Sequence, residues 1–511
     1  MKLNKYLLLL VAAGSILTSC SSEEEIPKTD GDADLQEKSI EGNLEREIKD
    51  FVWKGLNFWY LYKAEVPKLQ DDAFATQNEY IDFMDSYSSP ESFFNNGLLY
   101  EGDRFSWIVD NYEDLENSFA GVRTTTGINY GLSYISSDSN DLVGIIRYVV
   151  PGSPADNENL KRGMLFTEID GQQLTVENYR SLLGGESLTF GFADYTANGI
   201  VTNGNVATVS KVQLNENPIL VAKTLDVDGI KVGYLMYNSF VHDYDGELND
   251  AFGQFKNDGI TELVLDLRYN GGGRVSSAVD LASMITGQFN GEVIIRTRYN
   301  PTIDVQLSEA SKVTKFDNMI FDGNESDHPG HTPTAINSLN LDKVYVIATR
   351  SSASASELII NGLAPYIDVV HVGQKTVGKV QASITLYDAN PPYYEKTGLN
   401  TKHKYAMQPL ISTSVNASGE AYPEGLIPDI EKVEKWDNFG TLGEMDEPLL
   451  ATALNEIKSN RSFERTIKAG KFIPTYVGES LEDEDAYQNM YIDVPSEDSE
   501  IKKLKTTTFK D

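Results

Sequence analysis

The run Lys343-Val344-Tyr345-Val346-Ile347-Ala348 leads into Ser351-Ser352-Ala353-Ser354-Ala355-Ser356-Glu357 and then into a short apolar segment that stops near Pro365. β-Branched and aromatic residues bounded by polar turn residues read as a buried strand. The segment beyond Glu357 has helical patterning, so the chain passes from strand through a serine-rich turn into a helix. Three more β-rich runs surround this unit, Lys231–Met236, Glu262–Leu267 and Asp368–Val372, with helical patterns such as Ser276–Ile285 between them. Strands alternating with helices specify a mixed α/β domain. It is expected over residues 206–454, with a polar, turn-rich insertion at 300–339.

A length of 511 residues suggests about three domains. Over 40–117 the chain reads as helical and aromatic: Ile48, Phe51, Val52, Leu56 and Trp59 fall on one helical stripe, widened by Tyr60 and Tyr62. Between 120 and 200 short strands alternate with turns. Leu142–Val150 ends at Pro151, and Gly152-Ser153-Pro154-Ala155, Leu160, Gly163 and Ile169-Asp170-Gly171 follow. This pattern resembles the signature of protease-associated PDZ domains. The resemblance implies capture of a peptide C-terminus as an added strand, with Tyr130, Gly131 and Leu132 in the carboxylate loop. Residues 455–511 read as an appendage with a loose acidic tail. The fold class is thus α/β multidomain: an N-terminal helical segment, a β-rich module and a mixed α/β core.

Composition narrows the function. Forty-three basic residues against 77 acidic ones give a formal net charge of −34, which argues against nucleic acid as a partner. The single cysteine excludes an internal disulfide and a Cys-based zinc site, and no metal or cofactor is expected. That cysteine, Cys20, closes Leu17-Thr18-Ser19-Cys20 after a basic start and an apolar stretch too short to span a bilayer. The segment resembles a bacterial lipobox, which implies a signal peptide at 1–19, lipidation of Cys20, and a membrane anchor. Residues 20–39 read as an acidic tether, similar to the surface-export signal of Bacteroidetes lipoproteins. The expected place is the cell envelope, as an outer-membrane lipoprotein facing the periplasm or the cell surface.

Three segments can carry chemistry. Asp266-Leu267-Arg268-Tyr269-Asn270-Gly271-Gly272-Gly273 follows a strand, and its glycines can turn backbone N–H groups toward an anion. Ser354 with Glu357 fits a capping box, and a serine at a helix N-terminus also sits where developing negative charge is favoured. Gly373-Gln374-Lys375-Thr376-Val377-Gly378-Lys379 has the spacing of a phosphate-binding loop. However, Val380 stands where a Ser or Thr would hold Mg²⁺, and Ser383–Tyr387 reads as a strand, so no nucleotide partner is expected. Lys379 has another use: a lysine made neutral by burial can act as base for a serine.

Taken together, Ser352–Glu357, the glycine-flanked Lys379 25 positions after Ser354, the Asp266–Gly273 loop and Tyr422–Asp429 resemble the C-terminal processing (tail-specific) peptidases, a Ser-Lys protease family. The resemblance implies a crotonase/ClpP-like core, Ser354 as nucleophile and Lys379 as base. It also implies an oxyanion hole from the N–H groups of Ala355 and Gly272 (or Gly273), with Glu357 and Thr376 in support. Protein or peptide tails would be the substrates. Ser383 departs from the family pattern, which places there a glutamine that orients the lysine. Two other readings stay open: a histidine base, His242 or His371, and a catalytically weak relative that acts as a peptide-binding lipoprotein.

Overall fold

The computed structural model describes residues 38–320, 333–459, 475–482, 487–492 and 499–504. Ile40–Asp511 cluster as one compact unit. The expected signal peptide and Cys20, and nearly all of the tether, lie outside the described residues.

A six-stranded sheet carries the catalytic candidates. Its order is Ile219–Val227, Ile230–Tyr237, Glu262–Asp266, Lys343–Ala348, Asp368–Gly373 and Ile430–Glu431. The first pair is antiparallel and the rest are parallel. Parallel neighbours need long crossovers, and helix Asp245–Asp258 supplies the one between the second and third strands. Strand alternation divides the core. Leu263, Leu265, Val344 and Val346 pack with helices Val275–Thr286 and Ala355–Leu363. Val264, Tyr345 and Ile347 face helix Pro448–Ser459. Both faces are covered, as parallel sheets require. The four strands read from sequence here return within one residue at each end.

A second six-stranded sheet runs Gly273–Arg274, Met490–Tyr491, Gln381–Ser383, Leu410–Asn416, Val293–Tyr299 and Val313–Lys315. A piece of the C-terminal stretch thus lies between the glycine loop and the strand that follows Lys379, parallel to both. The expected loose appendage is not what the described pieces form: Met490 is buried in the main core and Tyr476–Glu479 pairs elsewhere. Two-residue strands carry no periodicity, so sequence patterning could not reveal them.

Strands Ile128–Tyr134, Leu142–Val149, Leu165–Ile169, Ser187–Thr196 and Gly199–Ser210 form an antiparallel sheet around Leu132, Ile146, Phe166 and Phe190. Its outer edge is taken by Tyr476–Glu479, with Gly478 opposite Leu132 and Glu479 opposite Gly131. At the other end of the chain, helix Leu44–Trp59 is capped by Asn43, whose side chain accepts the Arg46 N–H at 3.2 Å. Its aromatic stripe is buried together with Ile303, Leu307, Ile384 and Met407. The described part of the 300–339 stretch is therefore anchored, with Phe316 and Ile320 in the main core as well.

Candidate active site

Ser354 ends the turn after strand Lys343–Ala348 and is the N-cap of helix Ala355–Leu363. Its φ of +64° and ψ of −116° are strained for a residue with a Cβ. Neighbouring serines hold the turn in place. Ser352 Oγ donates to Leu267 O at 2.7 Å and Ser356 Oγ to Asn270 O at 2.9 Å. The serine-rich sequence thus staples the elbow to the glycine loop. Ser354 Oγ lies over the backbone of Glu357 in the capping-box position, yet it closes no hydrogen bond of normal geometry and is buried without a partner.

Glu357 ties the elbow to the lysine loop. Its carboxylate accepts the Ser354 N–H at 2.8 Å, the Gly378 N–H at 2.7 Å, the Lys379 N–H at 2.9 Å and the Thr376 hydroxyl at 2.5 Å. Burial raises its pKa against the pull of these four donors. Thr376 in turn accepts the Leu426 N–H at 2.7 Å, which fixes the Tyr422–Asp429 element to the same loop.

Lys379 is buried, and burial pushes its amine down from 10.5 to about 7, against the Asp103 and Glu357 carboxylates. Its Nζ lies 4.8 Å from the centre of the Phe105 ring and 3.4 Å from Asn489 Oδ1. Ser383 Oγ is 3.2 Å from that same oxygen and from Met490 O, and its one proton can serve only one of them at a time. Ser354, Glu357, Lys379 and Met490 all line one cleft of about 410 Å³.

The glycine loop is shaped by buried charge. Arg268 pairs with Asp266 at 2.7 Å and Glu447 at 2.6 Å, while Tyr234 donates to Asp266 at 2.8 Å. Asn270 Nδ2 donates to Tyr237 O at 2.8 Å, and its Oδ1 accepts the Gly272 N–H at 2.8 Å. The N–H expected to face an oxyanion is therefore engaged within the loop. That of Gly273 donates to Asn489 O at 2.7 Å. Ala355, first in its helix, has no intrahelical acceptor for its N–H. Gly272 has φ +114°, and a Cβ there would lie 2.7 Å from Ser354 Cβ and 2.4 Å from Asn489 O, so no other residue fits.

The structure thus gathers Ser354, Ala355, Glu357, Thr376, Lys379, Ser383 and Gly272 in one neighbourhood. Tyr130, Gly131 and Leu132 lie apart, on the strand paired with Tyr476–Glu479. His242 pairs with Asp245 at 2.8 Å and His371 contacts Ala348 O at 3.2 Å. Neither histidine lines the cleft. Sequence reasoning misses Phe105 and Asn489: both sit in stretches that read as packing module and tail, far along the chain from the lysine they touch. Among the described residues no cluster of three metal-ligating side chains occurs.

This arrangement has counterparts. A model for peptidase family S41 matches residues 231–431, and one for the peptidase S41 N-terminal domain matches 47–107, together about half of the chain. The chloroplastic C-terminal processing peptidase of Tetradesmus obliquus is 24% identical over 281 residues, covering 52% of this chain and 54% of that protein. Carboxyl-terminal-processing peptidase 3 of Arabidopsis thaliana, also chloroplastic, is 25% identical over 353 residues, covering 64% and 60%. The match thus spans just over half the length of these relatives. A crystal structure described as an S41 protease from Bacteroides fragilis NCTC 9343 superposes with a TM-score of 0.61 at 25% identity, covering 81% of this chain and 98% of that one.

Proposed function

The chain belongs to peptidase family S41, and from that premise we propose that it is a lipid-anchored serine endopeptidase that hydrolyses peptide bonds in extracytoplasmic proteins. One observation carries the reading. A buried serine with an unpartnered hydroxyl and a buried lysine with its pKa near 7 line the same cleft. The neutral Lys379 amine takes the Ser354 hydroxyl proton as Oγ attacks the scissile carbonyl, and the ammonium returns it to the leaving amine. Water then hydrolyses the acyl-enzyme with Lys379 again as base. The Ala355 N–H stabilises the oxyanion, joined by the Gly272 N–H once it leaves Asn270; each such donor is worth roughly 10²–10³ in rate.

Recognition of substrate tails through a PDZ-type module at 120–200 rests on its signature and on the antiparallel strand already lying at Gly131–Ser133. Anchoring and an envelope location rest on Leu17–Cys20 alone. Ser354→Ala and Lys379→Ala should each abolish cleavage of an unfolded protein while thermal unfolding still shows a folded chain. Unchanged cleavage by either variant sinks the dyad.

A second reading, a peptide-binding lipoprotein without catalysis, is favoured by the engaged Gly272 N–H. A fluorophosphonate probe separates the two: labelling lost in Ser354→Ala supports the enzyme, and peptide binding without labelling supports the binder.

A further inference from the structure

The amine of Lys379 has a single hydrogen-bond acceptor among the described residues, Oδ1 of Asn489. That carboxamide is not on a free tail. Asn489 is fully buried, its backbone carbonyl accepts the Gly273 N–H at 2.7 Å, and the next two residues are the strand between Gly273–Arg274 and Gln381–Ser383. Met490 fills the main core, and the Tyr491 ring stacks on Phe119 at 4.2 Å. Ser383, on the adjacent strand, has its hydroxyl 3.2 Å from the same oxygen.

We propose that Asn489 is the positioning residue of the Lys379 base: its carboxamide oxygen holds one N–H of the neutral amine, so the lone pair stays directed at the cleft where Ser354 lies. This rests on the Ser-Lys reading above. A neutral amine has two N–H bonds and one lone pair. With one N–H on Asn489 and the Phe105 ring beside the amine, the lone pair is left for the Ser354 proton. The step balances without a further reactant: the Ser354 O–H bond breaks and a third N–H bond forms on Lys379. An uncharged amide suits this task. A carboxylate in its place would hold the amine equally well but favour the ammonium, which is no base. The C-terminal strand is thereby part of the catalytic site, and it supplies from a distance the contact that Ser383 is too short to make.

The test uses the full chain and three variants: Asn489→Asp, Asn489→Ala, and Asn489→Ala combined with Ser383→Gln. kcat and KM are measured across pH on an unfolded protein substrate. Lys379 is titrated directly by NMR in protein carrying ¹³Cε-lysine, with Lys379→Arg for assignment. Asn489→Asp should move the Lys379 titration, and with it the acid limb of kcat, upward by about 1 unit or more. Asn489→Ala should lower kcat ~10- to 100-fold with KM unchanged, less than loss of the base itself. Gln at 383, whose longer amide reaches the vacated point, should restore much of that loss; a merely structural role for Asn489 would not be rescued this way. A Lys379 titration in Asn489→Asp that matches the parent overturns the proposal, and so does full kcat in Asn489→Ala. Should Asn489→Ala fail to fold, the isosteric Asn489→Asp decides by its titration alone. A parent chain that neither cleaves nor takes a fluorophosphonate refutes the Ser-Lys reading instead, while the titration still tests the Asn489 contact.

Discussion

Ser354 and Lys379 share a cleft, yet the chain holds them in opposite ways. The backbone of Ser354 is set mostly by its neighbours in sequence, the strand before it, the helix after it and Glu357 three residues on, with Ser352 and Ser356 stapling the turn to the glycine loop. Lys379 has a local hold only on its backbone, through Glu357. Its amine is set by Phe105, more than 270 residues earlier, and by Asn489, 110 residues later. The nucleophile's conformation is mostly a product of local geometry; the placement of the base's amine is a product of tertiary assembly. Whatever loosens the packing of the chain's two ends should therefore disarm the base before it disturbs the serine.

The largest effect expected from this contrast is on stability. Lys379 is buried with its pKa near 7, against 10.5 when unfolded. A folded pKa below the unfolded one means that the folded state binds fewer protons between these values, so the lysine's stability cost is full below pH 7 and vanishes above pH ~10.5. Lys379→Met should thus stabilise the chain by about 3–5 kcal/mol at acid pH, with the gain fading across that window. Denaturant unfolding at pH 6 and pH 10 checks it, and an equal gain at both would break the account.

Next comes Glu357→Ala, which strands three buried backbone N–H groups and the Thr376 hydroxyl at once. A loss of about 3 kcal/mol or more is expected, measured by the same unfolding. Because this residue ties the elbow to the lysine loop, activity should fall as well, though less than on loss of Ser354 or Lys379 themselves.

The smallest effect should come from Phe105→Ala, which admits water to the amine. Its pKa then rises toward the ordinary lysine value, so at pH 7 kcat should drop by roughly 10-fold per unit of rise and recover at pH 9–10. Ser354 labelling measured at that higher pH should be unaffected. Equal loss at all pH values would mean that Phe105 serves packing alone.

The same contrast separates what is legible in the amino-acid sequence from what is not. Strands Lys343–Ala348 and Asp368–Gly373 and helix Val275–Thr286 announce themselves because their apolar spacing is long and regular. Ser354, Glu357 and Lys379 stand in segments whose residue types and spacing already imply chemistry. The engagement of Gly272 by Asn270 is a matter of one side-chain rotation, for which spacing carries no signal. Asn489 is hidden for a different reason: a lone amide in a short polar segment has no pattern, and its meaning comes only from the two-residue strand beside it.

The strand Tyr476–Glu479 occupies the sheet edge at Gly131–Ser133, and Glu479 is held there by a buried ion pair with Arg147 and by the Ser351 hydroxyl at 2.6 Å. It belongs to the same chain as the edge it covers, so its presence there does not depend on the protein's dilution. On the proposed PDZ-type reading, a free peptide tail would reach that edge only by exceeding this intramolecular rival in affinity or abundance. Occupancy there would then be an exchange reaction, and its apparent affinity would report the difference between two strands rather than the strength of one.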